Sequence, residues 1–189
     1  MKNAFIIHGF NGDTTYTFGP WLKKELEKRD YNVYMPDFPI RSLATYSGWS
    51  SILDNYKDLF NEDTIVVCHS IGNPFFVRYF SENKLKAKLY ISVAGFCKLF
   101  TIPDREDLNT AFIDFKVDKK NIDYCRSNIE YIFSLYSDTD HVIPFDILEN
   151  FIKELDSTPV FIKGAGHMGN RENTTQLPKI VDILNDLKI

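Results

Sequence analysis

A serine hydroxyl becomes a nucleophile when a base takes its proton and an acid holds that base, so a Ser, a His and an Asp or Glu must converge. Ser70 stands in Val66-Val67-Cys68-His69-Ser70-Ile71-Gly72-Asn73, where an apolar run gives way at once to helical patterning. A serine on such a sharp strand-to-helix turn takes a strained backbone conformation, and the residues two before and two after it must be small. Cys68 and Gly72 hold those places, with Cys68 standing where the Gly-x-Ser-x-Gly pattern has its first glycine. The turn lifts the hydroxyl above the strand end and beside a helix N-terminus, whose unpaired N–H groups favour the negative charge that develops in acyl transfer. A serine that merely caps a helix needs neither small flanks nor distant partners.

Partners follow in the order acid, then histidine. Asp138 and Asp140 share the stretch Ser137-Asp138-Thr139-Asp140-His141-Val142-Ile143-Pro144, and because residues two apart in an extended segment point the same way, side-chain direction does not choose between them. The pattern of an acid, three residues and a proline fits Asp140 with Pro144, which leaves Asp138 as a turn former accepting backbone N–H bonds. His167, in the glycine-rich loop Gly164-Ala165-Gly166-His167-Met168-Gly169, is the expected base, its tautomer held by the carboxylate. His8 and His69 are expected to pack and hydrogen-bond structurally, and His141 to point away from the site. The backbone N–H groups of Phe10, in His8-Gly9-Phe10-Asn11-Gly12-Asp13, and of Ile71 are the expected oxyanion-hole donors. No His, Cys, Asp or Glu set shows zinc spacing, and Gly9-x-x-Gly12 lacks the Lys-Ser/Thr pair of a phosphate loop.

These residues need a scaffold that delivers strand ends to one place. Six short apolar runs read as strands: Ala4–His8, Asn32–Met35, Thr64–Cys68, Lys88–Ala94, Glu130–Tyr136 and Pro159–Ile162. Helical patterning fills most gaps, over Phe18–Arg29, Trp49–Phe60, Asn73–Phe80, Phe145–Leu155 and Leu177–Leu187. Strands alternating with helices predict a three-layer α/β sandwich around a mainly parallel sheet, with residues 1–189 as one domain. The more charged segment Phe96–Asn128, with one helix-like stretch over Arg105–Phe115, is expected to be a small lid or a crossover.

Composition narrows the functions. A net charge of −4 with scattered Lys and Arg carries no basic stripe for nucleic acid, and no apolar run approaches a membrane span or a signal-peptide core. Three cysteines at no metal-like spacing fit reduced thiols, so a cytoplasmic location without membrane or nucleic-acid partners is expected. The aromatic share is high at 15%. Most of these rings are expected in the core; Phe10, Trp49, Phe75, Phe96, Phe100 and Phe145 are those that could line a pocket and so favour flat or ring-bearing substrates, while a small chain with Phe96–Asn128 as its one spare lid segment leaves room only for compact acyl groups.

The assembled residues resemble the small serine hydrolases grouped with retinoblastoma-binding protein 9, over nearly the whole chain. The resemblance lies in the Gly19-Pro20-Trp21-Leu22-Lys23-Lys24-Glu25-Leu26 helix, the Met35-Pro36-Asp37 turn, His69-Ser70-x-Gly72, Ser137-x-x-Asp140-x-x-x-Pro144 and Gly166-His167. It implies an α/β-hydrolase fold with a minimal lid, hydrolysis of esters or small amides without cofactor or metal, and an acid at Asp140. The retinoblastoma-pocket motif Leu-x-Cys-x-Glu is replaced by Leu59-Phe60-Asn61-Glu62-Asp63, so a retinoblastoma-type partner is not supported. The expectation is therefore a small carboxylic ester or amide cleaved through an acyl-enzyme on Ser70. Its alternatives are a non-catalytic interaction module on the same fold and an acyltransferase.

Overall fold

A computed structural model describes residues 1–15 and 17–189, and in it all six apolar runs are strands of one sheet. They are β1 (Asn3–Ile7), β2 (Asn32–Tyr34), β3 (Ile65–His69), β4 (Ala87–Val93), β5 (Ile129–Tyr136) and β6 (Thr158–Phe161). The order is β2-β1-β3-β4-β5-β6, and every pairing is parallel. Helices alternate with them: α1 (Gly19–Glu27), α2 (Tyr46–Leu53), α3 (Gly72–Glu82), α4 (Glu106–Asp114), α5 (Lys119–Asn128), α6 (Phe145–Leu155) and α7 (Pro178–Asp186).

The two faces of the sheet explain the unbroken apolar strands. Phe5, Ile7, Val66, Cys68 and Tyr90 point into one core with α2, α3, α5 and α6, while Ala4, Ile6, Ile65, Val67, Leu89 and Ile91 point into a second core with α1 and α7. Alternation along a strand thus feeds two apolar layers, with no solvent side for polar residues to mark. The edge strand β6 is mostly exposed, and exposed positions in the other strands are confined to Asn32 of β2 and to Glu130 and Tyr131 of β5.

Two helix expectations change. The Trp49–Phe60 pattern is not one helix: Thr45 Oγ1 accepts the Gly48 N–H at 3.1 Å and starts α2 earlier, and after Leu53 the chain tightens into a 3₁₀ turn over Asp54–Leu59. The segment Phe96–Asn128 holds two helices rather than one. Its first part lies over the strand ends, with Leu108 of α4 reaching the site, whereas α5 is an ordinary crossover packed on α3 and α6. Helix α5 escapes the apolar pattern because it buries only Asn121, Ile122 and Cys125. No helix among the described residues is long and apolar enough to cross a membrane.

A parallel sheet sends all its C-terminal strand ends to one edge, and the crevice opens where the chain order reverses, here between β1 and β3. Ile7 pairs with Cys68, so the loop after β1 and the turn after β3 leave the sheet side by side. The loops after β5 and β6 arrive at the same edge.

Candidate active site

Ser70 occupies the strained turn that its neighbours imply. Its φ is +54°, a left-handed conformation that costs a non-glycine residue about 1–3 kcal/mol and persists only where its surroundings enforce it. The Ser70 N–H donates to Val93 O at 3.0 Å, and Ser70 O accepts from the Asn73 N–H at 3.0 Å and Asn73 Nδ2 at 2.8 Å. Asn73 Nδ2 also reaches Val93 O at 3.1 Å, while its Oδ1 accepts from the Tyr90 hydroxyl at 2.7 Å. This buried amide clamps the turn onto β4. At Gly72 a Cβ would lie 2.8 Å from His8 O and 3.1 Å from Ile7 O, backbone atoms that cannot step aside, so α3 can start this close to β1 only with glycine. Cys68 turns its side chain into the core beneath, where burial pushes its thiol pKa well up and keeps it protonated. It does not compete with Ser70.

The acid and histidine loops meet residue by residue. Asp138 Oδ1 accepts the Gly164 N–H at 2.8 Å, Ser137 Oγ the Ala165 N–H at 2.9 Å, and Thr139 Oγ1 the Gly166 N–H at 3.0 Å. Asp140 then takes the His167 ring, with Nδ1 at 2.8 Å from Oδ2 and 3.0 Å from Oδ1. Asp140 Oδ1 also accepts the Val142 and Ile143 N–H groups at 2.8 and 2.9 Å. Burial pushes the Asp140 carboxyl pKa up, but the hydrogen bond and charge of His167, with those two N–H groups, hold it below the usual carboxylate range. With a carboxylate at Nδ1, the ring carries its proton there and leaves the Nε2 lone pair open. Gly166, at φ +62°, allows the bend that presents the histidine, and a Cβ there would sit 2.6 Å from Glu172 Cγ. Asp138 accepts a backbone N–H as expected, but from the histidine loop rather than from its own turn.

The other histidines divide into a part-buried brace, a buried brace and one rim residue. His8 Nε2 accepts the Phe38 N–H at 3.1 Å, which puts the ring proton on Nδ1, 2.7 Å from Gly9 O. Gly9 O also accepts the Gly12 N–H at 3.0 Å. In a planar trans peptide the N–H lies opposite the carbonyl, so fixing Gly9 C=O fixes the direction of the Phe10 N–H. Neither the Phe10 nor the Ile71 N–H donates to a protein acceptor among the described residues. His69 Nε2 donates to His167 O at 2.9 Å, tying the residue beside Ser70 to the backbone of the histidine loop. Burial, then the neighbouring His167, pushes the His69 pKa down to about 4, so this brace is neutral. His141 does not point away: its Nδ1 lies 3.2 Å from Glu172 Oε1 and its ring centroid 6.1 Å from that of His167.

Ser70, His167, Phe10 and Gly9 line one cavity of about 290 Å³, together with Asn11, Arg105, Leu108, His141, Val142, Arg171 and Glu172. A larger, shallow depression of about 590 Å³ lies at the opposite, N-terminal ends of β5 and β6 and takes in none of Ser70, Asp140 or His167. Of the six rings that could have lined a pocket, Phe10 alone reaches this cavity among the described residues, so the expectation that most rings serve the core holds and the preference for flat or ring-bearing substrates loses its support. The rings are used elsewhere. Trp49 stacks on Phe38 at 4.6 Å and meets Phe75 at 5.2 Å; Phe96 and Phe100 converge on Phe112 at 4.8 and 4.9 Å, anchoring α4; Phe145 stacks on Tyr136 at 5.8 Å. Sequence patterning missed Asn73, the Ser137 and Thr139 caps, the His141–Glu172 pair, Arg105 and Arg171, whose only shared signal is a polar side chain on a segment that follows a strand.

Known proteins resemble this chain over nearly its whole length. Residues 4–186 match the family model described as Serine hydrolase. The YdeN protein of Bacillus subtilis (strain 168) is 26% identical over 185 residues, covering 97% of this chain and 94% of YdeN. The crystal structure of the B. subtilis ydeN gene product superposes with a TM-score of 0.83 at 25% identity, over 98% of each chain. A carboxylesterase structure from the thaumarchaeon Nitrososphaera gargenis gives a TM-score of 0.71 at 12% identity, over 98% of this chain and 89% of that one. Est1E of Butyrivibrio proteoclasticus, solved with ferulic acid, gives 0.71 at 14% identity, over 100% and 88%. These last two likenesses concern the fold, which is that of the α/β-hydrolases.

Proposed function

The chain belongs to the serine hydrolase family, and on that premise we propose that it cleaves a small carboxylic ester or amide through an acyl-enzyme on Ser70. The observation that carries this reading is the His167 ring, fixed at Nδ1 by Asp140 at 2.8 Å with Nε2 left open, in the same cavity as a serine held at positive φ. Ser70 Oγ bonds to the substrate carbonyl carbon as its proton passes to His167 Nε2. The Phe10 and Ile71 N–H groups take the charge that appears on the carbonyl oxygen, each worth about 2.7–4 kcal/mol of barrier lowering by the usual cost of losing one such donor. Collapse breaks the bond to the alcohol or amine, which leaves with the proton from His167. Water then attacks the acyl-enzyme along the same route, returning the acid and free Ser70.

Cavity size supports a compact acyl group. At about 290 Å³ the cavity lies at the small end of the range of ligand pockets, about 300–1,000 Å³, and offers little room for a long acyl chain. The expected result is a kcat/KM on p-nitrophenyl butyrate at least tenfold above that on the palmitate ester, each assayed below its critical micelle concentration. Equal or higher efficiency on palmitate would overturn the compact-acyl reading.

A further inference from the structure

The charged groups around the cavity differ in how far other residues occupy them. Glu172 has both oxygens engaged, Oε2 by the Gly169 N–H at 3.0 Å and Oε1 by His141 Nδ1 at 3.2 Å. Asp140 is likewise committed to His167, Val142 and Ile143. The cations are less committed. Arg105, at the entrance to α4, gives Nε and Nη2 to Asp107 at 3.0 and 3.1 Å, which steadies the guanidinium and leaves three of its five N–H donors unused by that pair. Arg171, on the loop after His167, pairs with no carboxylate among the described residues. An anionic substrate group would find guanidinium donors from two separate segments.

The whole protein carries a net charge of −4, so two arginines at one cavity are a local feature rather than a reflection of composition. Guanidiniums match a carboxylate in geometry as well as charge, and a cleft focuses their field. We propose that the substrate carries a carboxylate in addition to its scissile ester or amide bond, and that Arg105 and Arg171 recognise it. This deepens the hydrolase reading and rests on it for the chemistry, but the binding of the anion is separable from the reaction.

The test compares glutaramate, which carries one carboxylate, with neutral glutaramide, both titrated calorimetrically into full-length protein bearing Ser70→Ala. Glutaramate is expected to bind at least tenfold tighter at low salt, with the gap narrowing near 1 M salt, where the screening length falls to about 3 Å. Adding Arg171→Gln or Arg105→Gln should remove most of the preference, and Arg171→Lys should keep much of it, which separates charge from packing. Kinetics on wild-type protein supply the second measure: p-nitrophenyl hemiglutarate should exceed p-nitrophenyl pentanoate at least tenfold in kcat/KM. Equal or tighter binding of glutaramide overturns the anion site. Preference for glutaramate without any hydrolysis upholds the anion site and counts instead against the hydrolase reading.

Discussion

Ser70→Ala is expected to lower kcat on an activated ester by on the order of 10⁶, and His167→Ala by a similar factor, because the two act as one unit. The double variant should be scarcely slower than either single, since whichever group is lost first takes the covalent route with it. Ser70→Ala should unfold at the wild-type temperature: the turn is held by backbone and Asn73 hydrogen bonds that do not involve the hydroxyl. His167→Ala should unfold somewhat earlier, because it leaves the buried Asp140 carboxylate with only the Val142 and Ile143 N–H groups. Steady-state kinetics on p-nitrophenyl butyrate, with thermal unfolding followed by circular dichroism, reads both effects. Additive losses in the double variant would mean that Ser70 and His167 work independently.

Asp140→Asn should cost about 10⁴ in kcat, through a mechanism that the hydrogen-bond pattern dictates. Asp140 Oδ1 is anchored by two backbone N–H groups, so an asparagine must keep its carbonyl oxygen there. Its amide NH₂ then falls at the Oδ2 position, 2.8 Å from His167 Nδ1, and can only donate. The ring is driven to the tautomer protonated at Nε2, which cannot accept the serine proton. Asp138→Asn differs at every step, because its remaining carbonyl oxygen can still accept the Gly164 N–H. Less than a tenfold loss is expected there. Assaying the two variants side by side at one pH checks the assignment, and the reverse order would transfer the acid role to Asp138.

What could be read in advance was whatever chemistry packs into a few consecutive residues. Ser70 shows itself because a strained turn constrains its immediate neighbours, Cys68 and Gly72. The strands show themselves because burial on both faces leaves an unbroken apolar run over residues 65–68 and 4–7. Pairings between distant segments stayed hidden. Nothing near Asn73 announces that its side chain will bind both Val93 and Tyr90, and nothing near Ser137 or Thr139 shows that their oxygens will meet the amides of Ala165 and Gly166. The aromatic residues illustrate the same limit. Phe96, Phe100 and Phe112 could have faced a substrate or one another, and tertiary packing alone settles that they pack together. His141 was misdirected for a related reason: its partner Glu172 arrives from a different loop.

The central claim, that Ser70 is an activated nucleophile, is met most directly by exposing the folded protein to a fluorophosphonate and locating the adduct by mass spectrometry. The phosphonyl group should attach in one equivalent to Ser70 as fluoride leaves, at a rate cut sharply in His167→Ala and to nothing in Ser70→Ala. A folded wild-type protein that stays unmodified, or carries its adduct on any other residue, would contradict the account.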